Sequence, residues 1–237
     1  MTGEIFLACA KLDDFGEIAT ECLSASEWWQ AGQFRLPRRQ QEYVGGRFLL
    51  RSVLTKLTGS GRSSHEILTG ANGKPFCAGG PAVSIAHSAD TIVCAATADG
   101  EIGIDVELPP RPRDAARIAK RFFNAEEAEW IAEDPDERFL ALWVIKEAWL
   151  KATGVGIPGG LDSIQCTVLP PDIAVRVRGS EAPRLGFYRR RQAFIGLATT
   201  MTPQESVLAF RWAPQANDLV DDPELQRVAA TPNDPSE

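Results

Sequence analysis

The chain has 237 residues and a formal charge of −7, long enough to bury one large core or two modest ones. Net acidity argues against nucleic acid as the main partner, because phosphate contacts need a basic surface, though it leaves room for a local basic pocket. No uninterrupted apolar run approaches a membrane span and the amino end lacks a charged-then-apolar secretion pattern, so no membrane association and a cytoplasmic location are expected.

In chain order, Ile5 to Ala10 is a short continuous apolar run that predicts a strand buried on both faces. A helix is expected to start between Ser24 and Glu27, capped by Ser24 or Ser26, and a longer one to run from about Arg38 to Leu57. Ala82 to Ala86 and Ile92 to Ala96 predict two strands joined by the Ser88-Ala89-Asp90 turn, and Ile102 to Glu107 a third. The run Leu108-Pro109-Pro110-Arg111-Pro112 neither continues a ladder nor begins a helix smoothly, so it is the expected boundary between a first unit, 1–108, and a second, 109–212.

In the second unit Ala115 to Phe123, Ala125 to Ile131 and Glu137 to Ala152 read as helices, with Asn124 capping the middle one. Strands are expected at Ser163 to Val168, Ile173 to Val177, Ala193 to Thr199 and Ser206 to Trp212. From Ala213 onward proline, acidic and small residues dominate, so 213–237 reads as a disordered tail with one helical turn near Glu224 to Val228. The five cysteines, Cys9, Cys22, Cys77, Cys94 and Cys166, are odd in number and widely spaced, which favours reduced thiols over a disulfide framework or a zinc site.

Two segments carry the chemistry. In the strand Gly103-Ile104-Asp105-Val106-Glu107, alternation turns Asp105 and Glu107 to one face and Ile104 and Val106 to the core. In the later helix, i,i+4 spacing sets Trp143, Glu147 and Lys151 on adjoining turns of one side. If that helix packs beside the strand, three carboxylates and an ammonium converge, and such a cluster calls for a cation; all-oxygen ligation suits Mg²⁺ or Mn²⁺. Each half also has an ordinary reading, the first as a solvated strand face and the second as a surface ion pair.

Gly-Ile-Asp-Val-Glu and Trp-x-x-Lys-Glu-Ala-x-x-Lys, in this order and at this separation, resemble the two signature motifs of the 4′-phosphopantetheinyl transferases, the second continuing through Ala152-Thr153-Gly154-Val155-Gly156-Ile157. The resemblance extends to Arg38-Arg39, Tyr43 to Arg51, Asn72-Gly73-Lys74-Pro75-Phe76, Ser84 to Asp90 and Arg121-Phe122-Phe123, so it covers roughly residues 35 to 160. It points to the longer, monomeric surfactin-synthetase-activator type rather than the short trimeric holo-acyl-carrier-protein-synthase type. It implies an α+β fold of two similar α/β subdomains related by a pseudo-twofold, with the active site in the cleft between them.

The implied reaction moves the phosphopantetheine arm of coenzyme A to a serine of an apo acyl or peptidyl carrier protein, releasing 3′,5′-ADP. By the same resemblance Asp105, Glu107 and Glu147 are the metal acids, Glu147 is also the candidate general base, and Lys151 stabilises charge on the leaving phosphate. His87 matches a residue that contacts the 3′-phosphate of coenzyme A, although a lone histidine is more often structural than functional. Lys74 and Pro75 fall in a turn near the nucleotide, Ser88 in the histidine segment, and Arg38 and Arg47 are further phosphate partners; Asp105 and Lys151 also count toward coenzyme A binding. His65 reads as solvated, and Trp143 and Trp149 as core aromatics.

Two departures stand out. Ala86 replaces a serine of many relatives, and Glu27-Trp28-Trp29-Gln30 lacks lysines that in some relatives meet the 3′-phosphate; Arg35, Arg38 or Arg39 are the available substitutes. Competing readings are a non-catalytic module that binds coenzyme A or a carrier protein, and a Mg²⁺-dependent phosphohydrolase acting on nucleotides. The identity of the carrier, the choice between the two metals and tolerance of acyl-coenzyme A are not legible in the chain.

Overall fold

The computed structural model describes residues 3–16, 20–70, 72–110, 115–154, 160–161, 163–177, 183–200 and 206–231. The Val155-Gly156-Ile157 end of the second motif and the Arg111-Pro112 part of the expected boundary lie outside them. The chain divides into two compact units, Met1–Gly100 with Glu205–Pro223, and Glu101–Gln204 with Glu224–Glu237. Each pairs one sheet with one long helix, so the fold is α+β with two subdomains.

The first unit contains β1 (Glu4–Lys11), α1 (Ala25–Gly32), α2 (Pro37–Thr58), the short pair β2 (Leu68–Thr69) and β3 (Pro75–Phe76), β4 (Ala82–Ser88) and β5 (Thr91–Thr97). It is completed by β11 (Ser206–Ala213) and β12 (Asp218–Asp221), and its sheet runs β12-β11-β1-β5-β4. β1 lies between a parallel neighbour, β11, and an antiparallel one, β5, so it is covered on both edges and its residues Ile5 to Ala10 are all buried, as its unbroken apolar run requires. Ser24 caps α1: its hydroxyl accepts from Glu27 N–H while the Glu27 carboxylate accepts from Ser24 N–H. Pro37 opens α2 and Gly59, at φ 74°, closes it. A side chain at Gly45 would come within 2.9 Å of Phe15 and 3.0 Å of Ile92, so the bare glycine lets α2 settle onto the sheet. Phe48, Leu49, Val53 and Leu54 of α2 are buried in the core of this unit, each contributing about 1.5–3 kcal/mol by leaving water.

The second unit contains β6 (Ile102–Glu107), α3 (Ala115–Phe122), α4 (Ala125–Glu133), α5 (Glu137–Thr153), β7 (Ile164–Leu169), β8 (Asp172–Val177), β9 (Arg184–Arg190), β10 (Ala193–Thr199) and β13 (Leu225–Ala230). Its sheet runs β6-β10-β9-β13-β8-β7. Asn124 caps α4 with the same reciprocal geometry that Ser24 uses, here with Glu127. α5 lies on β6 and β10 at backbone contact. A Cβ at Gly103 would sit 1.9 Å from the Ala148 carbonyl oxygen, and one at Gly196 would sit 2.2 Å from that of Val144.

Three expectations need correction. The division falls at Gly100–Glu101 rather than after Leu108, because β6 pairs with β10 and carries α5, which ties it to the second unit despite the prolines that follow. Residues 205–223 return to the first unit through the β1–β11 ladder. The segment read as a disordered tail instead supplies two strands: Leu219 of β12, 2% exposed, pairs with Trp212, and Leu225–Ala230, the expected helical turn, is β13 against β9. Backbone hydrogen bonds to a waiting strand supply the order that this composition lacks alone.

Candidate active site

Each unit carries a polar constellation of its own. In the second, the Gly103 and Gly196 contacts bring α5 so close to the sheet that side chains one turn apart on its strand-facing side reach β6. Gly196 pairs directly with Asp105 across the ladder, so the same gap that admits the helix backbone lies beside this carboxylate. Lys151 Nζ donates to Asp105 Oδ1 at 2.6 Å. Glu147 is 8% exposed and its Oε1 is buried with no hydrogen-bond partner. Burial first, then the Asp105 charge, and less strongly that of Glu107, push the Glu147 carboxyl up from 4.5 to about 7 against the opposing pull of Lys151. Three carboxylates and the ammonium therefore share one electrostatic environment, as their spacing suggested.

Among the described residues no three acidic, histidine or cysteine side chains are gathered at metal-ligand spacing; Asp105 is engaged by Lys151 instead. The donors nevertheless suit a hard divalent cation in kind, with an unsatisfied buried carboxylate oxygen on Glu147 beside a second carboxylate.

Lys146, inside the same motif, plays a different part. Its side chain is fully buried and donates to Glu127 Oε2 at 2.7 Å and to the Leu161 carbonyl at 2.9 Å, while Glu127 Oε1 accepts from Cys166 N–H at 2.8 Å. It locks α5 to α4 and β7. Trp149 is buried, and Trp143 stacks on Phe139 with ring centroids 5.7 Å apart, so both tryptophans belong to the core as expected.

The first unit holds a cavity of about 590 Å³ whose wall includes Trp29, Arg39, Tyr43, Arg47, Pro75 and His87. Strand alternation explains part of this, since Ile85 and His87 of β4 face the cavity while Ala86 between them does not. The replacement of serine by Ala86 therefore leaves the wall unchanged. Of the expected coenzyme A residues, Pro75, Arg47 and His87 lie on the wall, whereas Arg38, Lys74 and Ser88 do not.

Arg47 is 5% exposed, 3.6 Å from Glu27 and hydrogen-bonded to Thr69 at 2.7 Å, while its Nη1 is buried with no hydrogen-bond partner. Arg51 completes that buried group with two bonds to Glu27, at 2.7 and 3.1 Å. Arg38 gives Nη2 to the Ala89 carbonyl and Nε to Glu42. His65, expected to be solvated, is half-buried, and burial lowers its pKa.

Sequence reasoning passed over Glu42, although its i,i+3 and i,i+4 spacing from Arg39 and Arg38 is a legible signal. Its carboxylate accepts from Arg38 at 3.2 Å and Arg39 at 2.8 Å. Arg39 Nη1 also lies 3.2 Å from His87 Nε2. A guanidinium only donates, so Nε2 accepts and the ring proton belongs on Nδ1, the nitrogen 3.7 Å from Glu42.

Comparison with known proteins bears on both units. Residues 33–97 match the 4′-phosphopantetheinyl transferase N-terminal domain, and residues 101–193 the 4′-phosphopantetheinyl transferase superfamily. The chain is 34% identical over 161 residues to the 4′-phosphopantetheinyl transferase HetI of Nostoc sp., covering 64% of this chain and 68% of that one. It is 34% identical over 179 residues to the 4′-phosphopantetheinyl transferase AcpT of Salmonella typhimurium, covering 68% and 88%. To psf-1 of Bacillus pumilus, another transferase of this name, it is 34% identical over 160 residues, covering 65% and 67%. These relatives lend no support to the non-catalytic reading. With matches in both units and identity over two thirds or more of such relatives, the chain belongs to the 4′-phosphopantetheinyl transferase superfamily and is a transferase.

Proposed function

We propose that this chain moves the phosphopantetheine arm of coenzyme A onto a serine of an apo acyl or peptidyl carrier protein, with Glu147, Asp105 and Lys151 carrying the chemistry. The observation behind this reading is the Glu147 carboxyl, buried beside Asp105 with an oxygen that makes no hydrogen bond and a pKa of about 7. Without a bound cation a carboxylate so placed is half ionised at neutral pH, ready to take up either a proton from a serine hydroxyl or a divalent cation. Lys151 holds Asp105 and offers positive charge to the leaving phosphate. Asp105, Glu107 and Glu147 would hold a Mg²⁺ or Mn²⁺ ion, which when bound neutralises negative charge on the phosphates. No covalent enzyme intermediate is required.

The cavity of the first unit takes the nucleotide end of coenzyme A, with His87 and Pro75 on its wall. Arg47, which shares Glu27 with Arg51 and keeps a buried Nη1 without a hydrogen-bond partner, is a further phosphate candidate on that wall. Lys74, Ser88 and Arg38 lie off the wall and are secondary candidates. Among the described residues no helix is long and apolar enough to cross a membrane, and the reading is of a cytoplasmic monomer.

Intact-protein mass spectrometry of a panel of apo carriers, incubated with the protein, coenzyme A and Mg²⁺ with an EDTA control, tests the reaction. A metal-dependent gain of one phosphopantetheine arm, abolished in a folded Glu147→Ala variant, is expected. Full transfer by that variant would remove the base and metal assignments together. Phosphate release without a carrier would favour the phosphohydrolase instead.

A further inference from the structure

The first turn of α2 lies beside a cavity wall whose α1 residues, Ser26, Glu27, Trp29 and Gln30, carry no positive charge. Resting on the reading that this cavity takes the nucleotide end of coenzyme A, we propose that Arg39, held in place by Glu42, is the residue through which this chain distinguishes a 3′-phosphorylated nucleotide from an unphosphorylated one.

Three arginines cluster around the start of α2, and the structure separates them. Arg35 is exposed and absent from the wall. Arg38 is spent on the Ala89 carbonyl and on Glu42. Arg39 alone of the three lines the cavity. Its side chain is 52% exposed, and both of its hydrogen bonds, to Glu42 Oε2 and His87 Nε2, use Nη1. Nη2 and Nε make no other hydrogen bond among the described residues, and together they form the planar fork that suits a phosphate.

Glu42 is 8% exposed and answers two guanidinium groups with one carboxylate. The surplus positive charge faces the cavity, where His87 adds an imidazole 3.2 Å from Arg39. Glu42 is thus a positioning residue: it fixes the orientation of Arg39 without cancelling the charge around it.

The test compares coenzyme A with 3′-dephospho-coenzyme A as donors. The wild type is expected to favour coenzyme A in kcat/KM by about 10-fold or more, the scale of a charge-assisted hydrogen bond. Arg39→Gln should raise KM for coenzyme A by about that factor with kcat little changed and leave KM for the dephospho donor as it was, collapsing the preference. Arg39→Lys should keep part of it, because charge remains while the fork is lost. Glu42→Gln should lower the preference less than Arg39→Gln does, a change in ratio that a loss of stability alone does not produce. Arg35→Gln serves as the unaffected control.

A wild type indifferent to the 3′-phosphate, or an Arg39→Gln variant that keeps the preference or loses both donors equally, overturns the proposal. If no carrier is modified by the wild type, the proposed reaction fails separately. Calorimetric binding of the two donors to wild type and Arg39→Gln then still decides the role of Arg39.

Discussion

Replacing Glu147 by glutamine should make the protein more stable and inactive, and the stability gain should depend on pH. The carboxyl titrates at about 7 in the folded chain against an ordinary 4.5, because burial and the Asp105 charge penalise its ionised form. Between these values the folded state holds a proton that the unfolded state has released. The contribution of Glu147 to stability is thus fully present below 4.5 and lost as pH rises through about 7. At about 1.36 kcal/mol per pH unit, the whole interval corresponds to about 3 kcal/mol. Lys151, whose side chain is 31% exposed, admits water to the site, so about 1–2 kcal/mol is the realistic gain. Urea unfolding of wild type and Glu147→Gln in EDTA should therefore nearly coincide at about pH 5 and separate by that amount near pH 8.5. Added Mg²⁺ should narrow the gap, since a cation held by the carboxylates stabilises the wild type more. A gap that is flat with pH, or a variant less stable at high pH, would refute the account of a destabilised carboxylate.

Other consequences follow from the same contacts. Gly196→Ala should destabilise the protein by about 3 kcal/mol or more, because the new Cβ would meet the Val144 carbonyl at 2.2 Å and overpacking against backbone has nowhere to relax; a thermal midpoint equal to wild type would show that α5 can shift away freely. Lys146→Met should cost about 3–5 kcal/mol, since it leaves Glu127 buried with its cation gone, and denaturant titration would read this directly. Lys151→Ala should slow transfer by about 100-fold and destabilise the protein less than Lys146→Met does, because Asp105 loses its cation but Lys151 is itself 31% exposed. It should also move the acidic limb of the pH–rate profile upward, because Lys151 is the charge that holds the Glu147 carboxyl down; a limb left in place would remove that coupling.

Features that depend on near neighbours in the chain were readable in advance. Ser24 and Asn124 cap their helices through residues three positions on, the alternation of β6 follows from a period of two, and the side of α5 that carries Glu147 and Lys151 follows from its turn. The signature motifs could be recognised before any contact was known. Strand β9 was not legible, because Arg184 and Arg189-Arg190 blur its apolar centre, nor was β13, whose adjacent Gln226 and Arg227 break any alternation and which gains order only between β9 and β8.

The chain by itself determined the type and approximate bounds of its long helices and core strands, and the spacing of the acids and lysine proposed to carry its chemistry. Tertiary structure alone decided that β1 pairs with β11 from the far end of the chain, that Lys146 is locked into the core while Lys151 meets Asp105, and that Arg39 rather than Arg35 or Arg38 borders the cavity. The reason is physical. Local spacing fixes which side of an element a residue occupies, whereas its ionisation and its partner depend on which remote backbone, here Gly103 and Gly196 against α5, comes close enough to exclude water.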